Sequence, residues 1–419
     1  MERKQKIQLI LFGAFVALVG LVFTIYYYGQ KPVIQTPVSV SVYGADDDQR
    51  VWDNLIKKFQ RLYPYITVTY TRVNDVGYDQ LLLNQLAEGR APDIFIIKNT
   101  LLTKYIYKSA GAPGYTPQTF QNTFVDGITE DLVFQNGFIM GLPLYLDTPA
   151  LFYNRDFLNS NGVVDPPKNW DDLVEFVGRF TQRSPENEIL RSSIGLGDYQ
   201  SVENAFEIIS SLIFQQGESI ISRGKQTLSL GSGAERALTF YTSFDDERSR
   251  NYTWNPRMGN SLQAFAEEKV PLYIGFASDI QRIKERNRSI NLGIAPFPQI
   301  KNSPKYTLYG RYAIPIVSAQ SKNKEAAWQF INYVTSAEGA AEYLKMTGLP
   351  PARRDLINSA VGDLGVFARQ SLIAHSWATP DDIYTKSLFQ IAVESVLSHS
   401  LAPGSAATAL SSKLKLYLP

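Results

Sequence analysis

Between residues 38 and 97 the chain alternates between two periodicities, and this alternation limits the possible folds more than any other feature. Residues 38–43 and 66–70 alternate apolar with polar side chains, as half-buried strands do, and residues 94–97 form a continuous apolar run. Residues 51–63 carry apolar side chains three and four positions apart, and residues 78–86 have a similar helical pattern. The order strand, helix, strand, helix, strand predicts a largely parallel sheet in an α/β fold.

The length and composition narrow the fold and the function further. A chain of 419 residues exceeds what one hydrophobic core usually holds, so two lobes are predicted. The 41 Lys and Arg nearly balance the 40 Asp and Glu, which argues against nucleic acid as a partner. The absence of cysteine excludes disulfides, thiolate nucleophiles and a lipid-modified cysteine. We expect a monomer without a cofactor.

The N-terminal part of the chain predicts a membrane anchor. Residues 7–28 are apolar over a length that spans a bilayer as a helix. Three cations lie within residues 1–6, which places that end in the cytoplasm, and the tyrosines at 26–28 suit the membrane interface. We predict a single-pass anchor in the cell membrane, a tether over residues 29–37, and an extracytoplasmic remainder. A cleavable signal peptide is the alternative, although its apolar region would be shorter and would end in small residues.

Two extended segments, residues 142–149 and 309–317, are predicted to cross between the lobes. The first lobe is predicted to comprise residues 38–145 and 309–350, and the second lobe residues 146–308 and 351–419. The second lobe should contain strands at 270–277 and 290–298, helices at 170–181, 202–215, 233–244 and 280–286, and tail helices from residue 366 onward.

Four blocks of sequence follow one another in a characteristic order. They are residues 38–70, with Phe59, Pro64, Ile66 and Val68 spaced as Phe-x4-Pro-x-Ile-x-Val; 86–95, reading LAEGRAPDIF; 141–173, reading GLPLYLDTPALFYNRDFLNSNGVVDPPKNWDDL; and 326–354, ending in GLPPARR. Together they resemble extracellular solute-binding protein family 1 of ABC importers, the group of maltose-binding and multiple-sugar-binding proteins. The resemblance covers residues 38–419.

The resemblance implies a periplasmic-binding-protein-like fold, in which two α/β lobes close about hinge crossings on a ligand in the cleft between them. It further implies a sugar or oligosaccharide as the ligand and an ABC permease as the partner. Two features depart from the family pattern. A lipidation cysteine is absent, and the predicted anchor would replace it. Lys98 and Asn99 stand where relatives often have an acidic residue, which admits an anionic or modified ligand.

Candidate ligand-binding residues lie on the predicted crossings, at the ends of strands, and on loops. Each has a competing structural interpretation: helix capping for Asp46 and Ser278, satisfaction of backbone groups for Tyr145 and Asp147, core packing for the two tryptophans, and a surface ion pair for Arg311. The full set is Tyr43, Asp46, Asn99, Tyr145, Asp147, Trp254, Ser278, Tyr309, Gly310, Arg311 and Trp377.

Motifs for catalysis are missing from the sequence. His375 and His399 are the only histidines, too few for a three-histidine metal site, and neither belongs to a His-Glu-x-x-His motif. No phosphate-binding P-loop and no Gly-x-Ser-x-Gly elbow occur. The sequence therefore predicts a binding protein without a metal. A tethered sensor or scaffold domain of the same fold remains an alternative, as does an extracellular carbohydrate-active enzyme.

Overall fold

The computed structural model describes residues 36–45, 47–218, 230–377, 379 and 381–416. The predicted cytoplasmic end, the transmembrane segment and most of the tether lie outside these residues, as does Asp46. Among the helices that the structure does describe, none combines the length and the apolar character needed to cross a bilayer.

The first part of the chain has the predicted alternation of strands and helices. Its elements are β1 (Val38–Gly44), α1 (Gln49–Leu62), β2 (Ile66–Arg72), α2 (Tyr78–Ala87), β3 (Ile94–Lys98), α3 (Leu102–Tyr105), α4 (Pro117–Thr123) and α5 (Asp126–Leu132). Helix α1 begins after Asp48, whose carboxylate accepts the backbone N–H of Arg50, and it buries Trp52 and Phe59 against the sheet. Capping and an apolar face therefore both fix this helix.

The middle part of the chain forms a second sheet with its own helices. Its elements are β4 (Ala150–Asn154), α6 (Arg155–Ser160), α7 (Trp170–Phe180), β5 (Gln182–Arg183), β6 (Ile189–Arg191), α8 (Ala205–Gln215), α9 (Ser232–Thr242), α10 (Ser261–Ala266), β7 (Leu272–Gly275), α11 (Asp279–Arg286), β8 (Leu292–Pro296) and β9 (Leu308–Tyr309). Strand β4 lies between β7 and β8 and is antiparallel to both. The helices predicted here are confirmed to within three residues at each end.

The last part of the chain completes both regions. Its elements are β10 (Ala313–Val317), α12 (Lys324–Val334), α13 (Ala337–Thr347), α14 (Gly362–Gln370), β11 (Ala374–His375), α15 (Asp382–Leu397) and α16 (Pro403–Lys415). The first sheet has the order β10-β3-β1-β2. Its strands β2 and β3 run parallel to β1, as predicted, whereas β10 returns antiparallel to β3, with Ala313 opposite Lys98.

The buried apolar side chains form two clusters, one for each large sheet. The first core surrounds the first sheet with α1, α2 and α12, and the second core surrounds the second sheet with α7, α8, α9, α15 and α16. The predicted lobe boundaries stay a prediction, but Ala352 and Ile357 belong to the first core, beyond the predicted boundary at residue 350. Phe389 and Val393 of the tail belong to the second core.

Candidate functional site

The two predicted crossings lie side by side between the cores. Asp147 and Arg311 form an antiparallel bridge in which each backbone N–H donates to the other residue's carbonyl at 2.9 Å. Tyr145 forms a second bridge, with Pro351. The chain therefore passes between the cores as a paired ribbon.

Asp147 is wholly buried, and its carboxylate contacts the start of helix α11. The oxygen Oδ1 accepts the backbone N–H of Ala277 at 3.0 Å, and Oδ2 accepts that of Ser278 at 3.3 Å. The N-terminus of a helix attracts an anion because its first N–H groups have no partner within the helix. We predicted that this helix end would contact a ligand. In the structure an internal carboxylate, that of Asp147, accepts these backbone N–H groups, and a ligand role for Ser278 and Asp147 stays a prediction.

Arg311 is held by three neighbours on the second-core side. Its Nη2 donates to Ser278 Oγ at 2.6 Å and lies 3.8 Å from Asp147 Oδ2, and its Cζ is 3.6 Å from the ring centre of Phe276. The surface ion pair considered for Arg311 is thus replaced by a largely internal one. Burial raises the pKa of Asp147 to about 6, and the charge of Arg311 limits that rise.

Three aromatic residues among the ligand-binding candidates are buried in the second core. Trp254 is fully buried, and its indole N–H donates to Ser201 Oγ at 2.9 Å. Trp377 lies with its ring centre 5.6 Å from that of Phe206, and Tyr309 is also buried. Each ring belongs to the second core, which favours the packing interpretation, and a ligand contact by Trp254, Trp377 or Tyr309 stays a prediction.

The remaining predicted residues lie where the first sheet meets the return crossing. Asn99 is buried, its Nδ2 donates to the carbonyl of Gly310 at 3.3 Å, and its Oδ1 accepts the N–H of Tyr312 at 3.2 Å. A Cβ on Gly310 would lie 2.7 Å from Leu146 Cδ1, so a larger residue here would require the leucine side chain to move. Tyr43 is half-buried at the end of β1. Asn99 and Gly310 thus join the crossing to the first core.

Lys98 was one reason to consider an anionic ligand. In the structure its Nζ lies 2.9 Å from both carboxylate oxygens of Asp75. The lysine charge is therefore compensated within the protein.

Sequence reasoning missed a group of half-buried polar residues beside the return crossing, here called the polar patch. Burial raises the pKa of Tyr199, and the negative charge of Glu207 on α8 raises it further. Glu207 also interacts electrostatically with Arg311. The Nζ of Lys386 lies 3.2 Å from Asp382 and 5.6 Å from the ring centre of Phe206. The polar patch comprises Tyr199, Glu207, Arg311, Asp382 and Lys386.

One sequence signal could have identified this patch. Glu207 is the single charged residue in the otherwise apolar or uncharged helix α8, which reads AFEIISSLIFQ. A lone carboxylate in a helix that is buried on most sides requires a specific partner or a function. Asp382 and Lys386 are four residues apart, but that spacing is common on solvated helices and would not have been distinctive.

The segment that leads into α15 borders both cores and carries unsatisfied polar atoms. Thr379 donates to the carbonyl of Thr100, beyond the end of β3, through its backbone N–H at 3.1 Å and its hydroxyl at 3.0 Å. Trp377 Nε1, Asp382 Oδ1 and Thr385 Oγ1 are buried without a hydrogen-bond partner among the described residues. Because an unsatisfied buried polar group costs about 1–3 kcal/mol, hydrogen bonds from a bound molecule would be favoured here.

A metal site has no support in the described part of the chain. Within those ranges, no three or more His, Cys, Asp or Glu side chains converge in a way that could hold an ion. The interactions that the polar patch offers to a ligand are therefore hydrogen bonds and charge interactions from its side chains.

Comparison with protein families gives a match over residues 45–341 to the bacterial extracellular solute-binding proteins. The matched range is more than half of the chain. The chain belongs to this family. The family consists of solute-binding proteins and not of enzymes.

Individual relatives agree with this assignment. The multiple sugar-binding protein of Streptococcus mutans is 22% identical over 348 residues, which are 79% of this chain and 80% of the relative. A putative binding protein of Brucella abortus is 23% identical over 355 residues, 81% of this chain and 84% of the relative.

Solved structures share the fold at low sequence identity. A cyclo/maltodextrin-binding protein complexed with maltotetraose has a TM-score of 0.74 at 19% identity, and the match covers 92% of this chain and 98% of that one. The cyclic α-maltosyl-1,6-maltose binding protein from Arthrobacter globiformis has a TM-score of 0.75 at 15% identity, covering 91% and 99%. The mixed α/β fold of sugar-binding proteins is thereby established for this chain.

Proposed function

We propose that this protein is the solute-binding subunit of an ABC importer, that it binds a neutral sugar or oligosaccharide between the two cores, and that it delivers this ligand to a permease. Membership of the family supports the transport role. The names of relatives that bind multiple sugars and maltodextrins support a carbohydrate ligand.

The observation that carries the sugar proposal is the position of Glu207. Its carboxylate is half-buried beside Arg311 and Tyr199, and it has no hydrogen-bond partner among the described residues. Carboxylates accept two hydrogen bonds side by side, which suits a pair of neighbouring sugar hydroxyls. Both cations of the patch have a carboxylate neighbour, Lys386 beside Asp382 and Arg311 beside Asp147, which disfavours an anionic ligand, and outside the patch Lys98 is paired with Asp75.

The proposal includes lobe closure and tethering. Residues 38–145 and 309–350 would move as one lobe against residues 146–308 and 351–419, and the crossings would bend between them. The apolar segment at residues 7–28 would anchor a monomer in the cell membrane, with the two lobes on the extracytoplasmic side. The length and flanking charges of that segment support the anchor.

Calorimetry tests the ligand class. The full chain is titrated with maltotetraose and with a panel of neutral, acidic and amino sugars, and Glu207→Gln is compared with wild type. We expect binding to a neutral sugar, weakened at least tenfold by Glu207→Gln, because a carboxylate acceptor is worth more than about 1.4 kcal/mol to a hydroxyl pair.

Glu175→Gln is the matched control, since Glu175 lies on α7 of the same core, away from the polar patch. Its affinity should equal that of wild type. Failure of every sugar to bind, or binding of acidic sugars alone, would overturn the proposal for a neutral carbohydrate.

A further inference from the structure

The first crossing changes its partners across a single peptide bond. Leu144 donates its N–H to the carbonyl of Ala313, which lies in β10, and Leu146 donates to the carbonyl of Pro350, which follows α13. Both β10 and α13 pack on the first core. The next residue, Asp147, binds the start of α11 through its carboxylate. The switch from the first core to the second therefore falls between Leu146 and Asp147.

The return crossing switches at the matching position. Tyr312 belongs to the first core: it exchanges backbone and side-chain hydrogen bonds with Asn99, and its hydroxyl donates to Asp131 at 2.7 Å. Its neighbour Arg311 binds Ser278 and lies over Phe276, and the first core reaches the residue before it through the longer bond of 3.3 Å from Asn99 to the Gly310 carbonyl described above. The two switch points are opposite each other, because Asp147 and Arg311 form the backbone bridge.

The side chain of Asp147 is internal to this junction, and that of Arg311 is partly buried in it. Asp147 contributes none of its surface to solvent, and Arg311 uses its guanidinium on Ser278, Phe276 and Asp147. Further charges nearby are Asp279 on α11 and Glu207 on α8. A buried ion pair seldom adds net stability compared with apolar packing, so its presence at a junction favours a role in fixing geometry.

We propose that Asp147 and Arg311 form a hinge clamp, a positioning pair that attaches both crossings to the second core and confines bending to the Leu146–Asp147 and Arg311–Tyr312 peptide bonds. The clamp rests on the proposed function, because it requires the two cores to move relative to each other. This positioning role is separate from any contact that Arg311 makes with the ligand as a member of the polar patch. The clamp sets which core-to-core angles the free protein samples.

A clamp of this kind affects ligand affinity indirectly. When only a fraction of molecules has the binding-competent angle, the apparent Kd rises by the inverse of that fraction. Releasing the crossings from α11 spreads the free protein over more angles. We therefore expect clamp variants to bind more weakly while every ligand contact is retained.

Distance measurements on the ligand-free full chain test the clamp without any sugar. The sequence contains no cysteine, so Val76→Cys and Val164→Cys create a unique pair for spin labels. These side chains are 88% and 95% exposed and belong to opposite sides of the junction, which makes labelling benign. We expect Asp147→Asn to at least double the width of the label-to-label distance distribution, because the substituted side chain would present an amide NH2 to Arg311.

Two further variants keep this test decisive. Ser278→Ala removes the acceptor of Arg311 while leaving the carboxylate in place, so it serves if Asp147→Asn does not fold. Asp198→Asn is the matched control: Asp198 is also buried and accepts a backbone N–H, that of Ser201, but within the second core. Its distance distribution should equal that of the parent.

The outcomes separate the clamp from the ligand proposal. Unchanged distances in folded Asp147→Asn and Ser278→Ala variants overturn the clamp, even if sugars bind. Broadened distances in a protein that binds no sugar support the clamp while the carbohydrate proposal fails. Broadening in Asp198→Asn as well would overturn the clamp, since it would show a general loosening.

Discussion

At the scale of single residues, the sequence located several important positions but could not identify their partners within the protein. Asp147 was expected on the crossing, and it is there. Its acceptor role toward Ala277 could not be read from the sequence, because the two residues are 130 positions apart. The partners of Trp254 were hidden for a related reason: Ser201 and the second core enclose the indole, and Ser201 is 53 positions away in the sequence.

The buried carboxylate predicts a pH dependence of stability. The pKa of Asp147 is raised from 3.8 to about 6, chiefly by burial, so the folded state binds this proton more tightly than the unfolded chain does. The charged form costs roughly 3 kcal/mol above pH 6, and the cost disappears as the pH falls from 7 toward 4. Urea unfolding at several pH values should show wild type gaining stability relative to Asp147→Asn as the pH falls. A constant difference would contradict the prediction.

Trp254→Phe separates packing from ligand stacking. The variant loses the hydrogen bond to Ser201 and part of the indole volume, so the free energy of unfolding should fall by roughly 1–3 kcal/mol. Sugar affinity, measured by calorimetry below the unfolding transition, should stay within a factor of two. A large loss of affinity in a fully folded variant would support the stacking role.

At the scale of elements, the strands and helices with clear periodicity were predictable, and the short ones were not. The alternating pattern of residues 38–97 gave the parallel part of the first sheet. The two-residue strands β9 and β11 have no periodicity to detect, yet their parallel pairing places His375 opposite Tyr309 beside the crossing. Helix α5 packs against β11 so closely that a Cβ on Gly127 would lie 2.0 Å from the carbonyl oxygen of Ala374.

A pair of glycine substitutions tests this contact between elements. Gly127→Ala should lower the free energy of unfolding by roughly 1–3 kcal/mol, because backbone atoms must separate to admit the methyl group. Gly178→Ala is the matched control within α7, where an added Cβ meets nothing within 4 Å. It should stabilise by up to about 1 kcal/mol through helix propensity. Thermal and urea unfolding measure both, and equal effects would contradict the close contact.

At the scale of the whole molecule, the two cores have separate apolar clusters, and the last helix contributes to the second alone. Leu410 and Leu414 of α16 are buried in that core. The overall division into two lobes was predictable from length and pattern. The polar patch was not, because α8, α15 and the return crossing are brought together by tertiary folding only.

Truncation before α16 should therefore damage one core selectively. A chain ending at residue 401 would expose the apolar face that α16 covers, so amides of β4 and β7 should exchange hydrogen much faster. Amides of β1 and β3 should keep their protection. A chain ending at residue 416 is the control and should match wild type. Loss of protection in both sheets of the shorter chain would show that the cores do not fold independently.

The antiparallel return of β10 has a consequence for the time at which the protein can fold. Strand β3 lacks its outer neighbour until residues 313–317 have been synthesised, by which point the entire second sheet has already been synthesised. One edge of β3 therefore stays unpaired until a segment more than 200 residues further along the chain has been made. The first sheet is therefore completed late in synthesis. Until then, a chaperone or an export machine would bind a chain whose first sheet is incomplete.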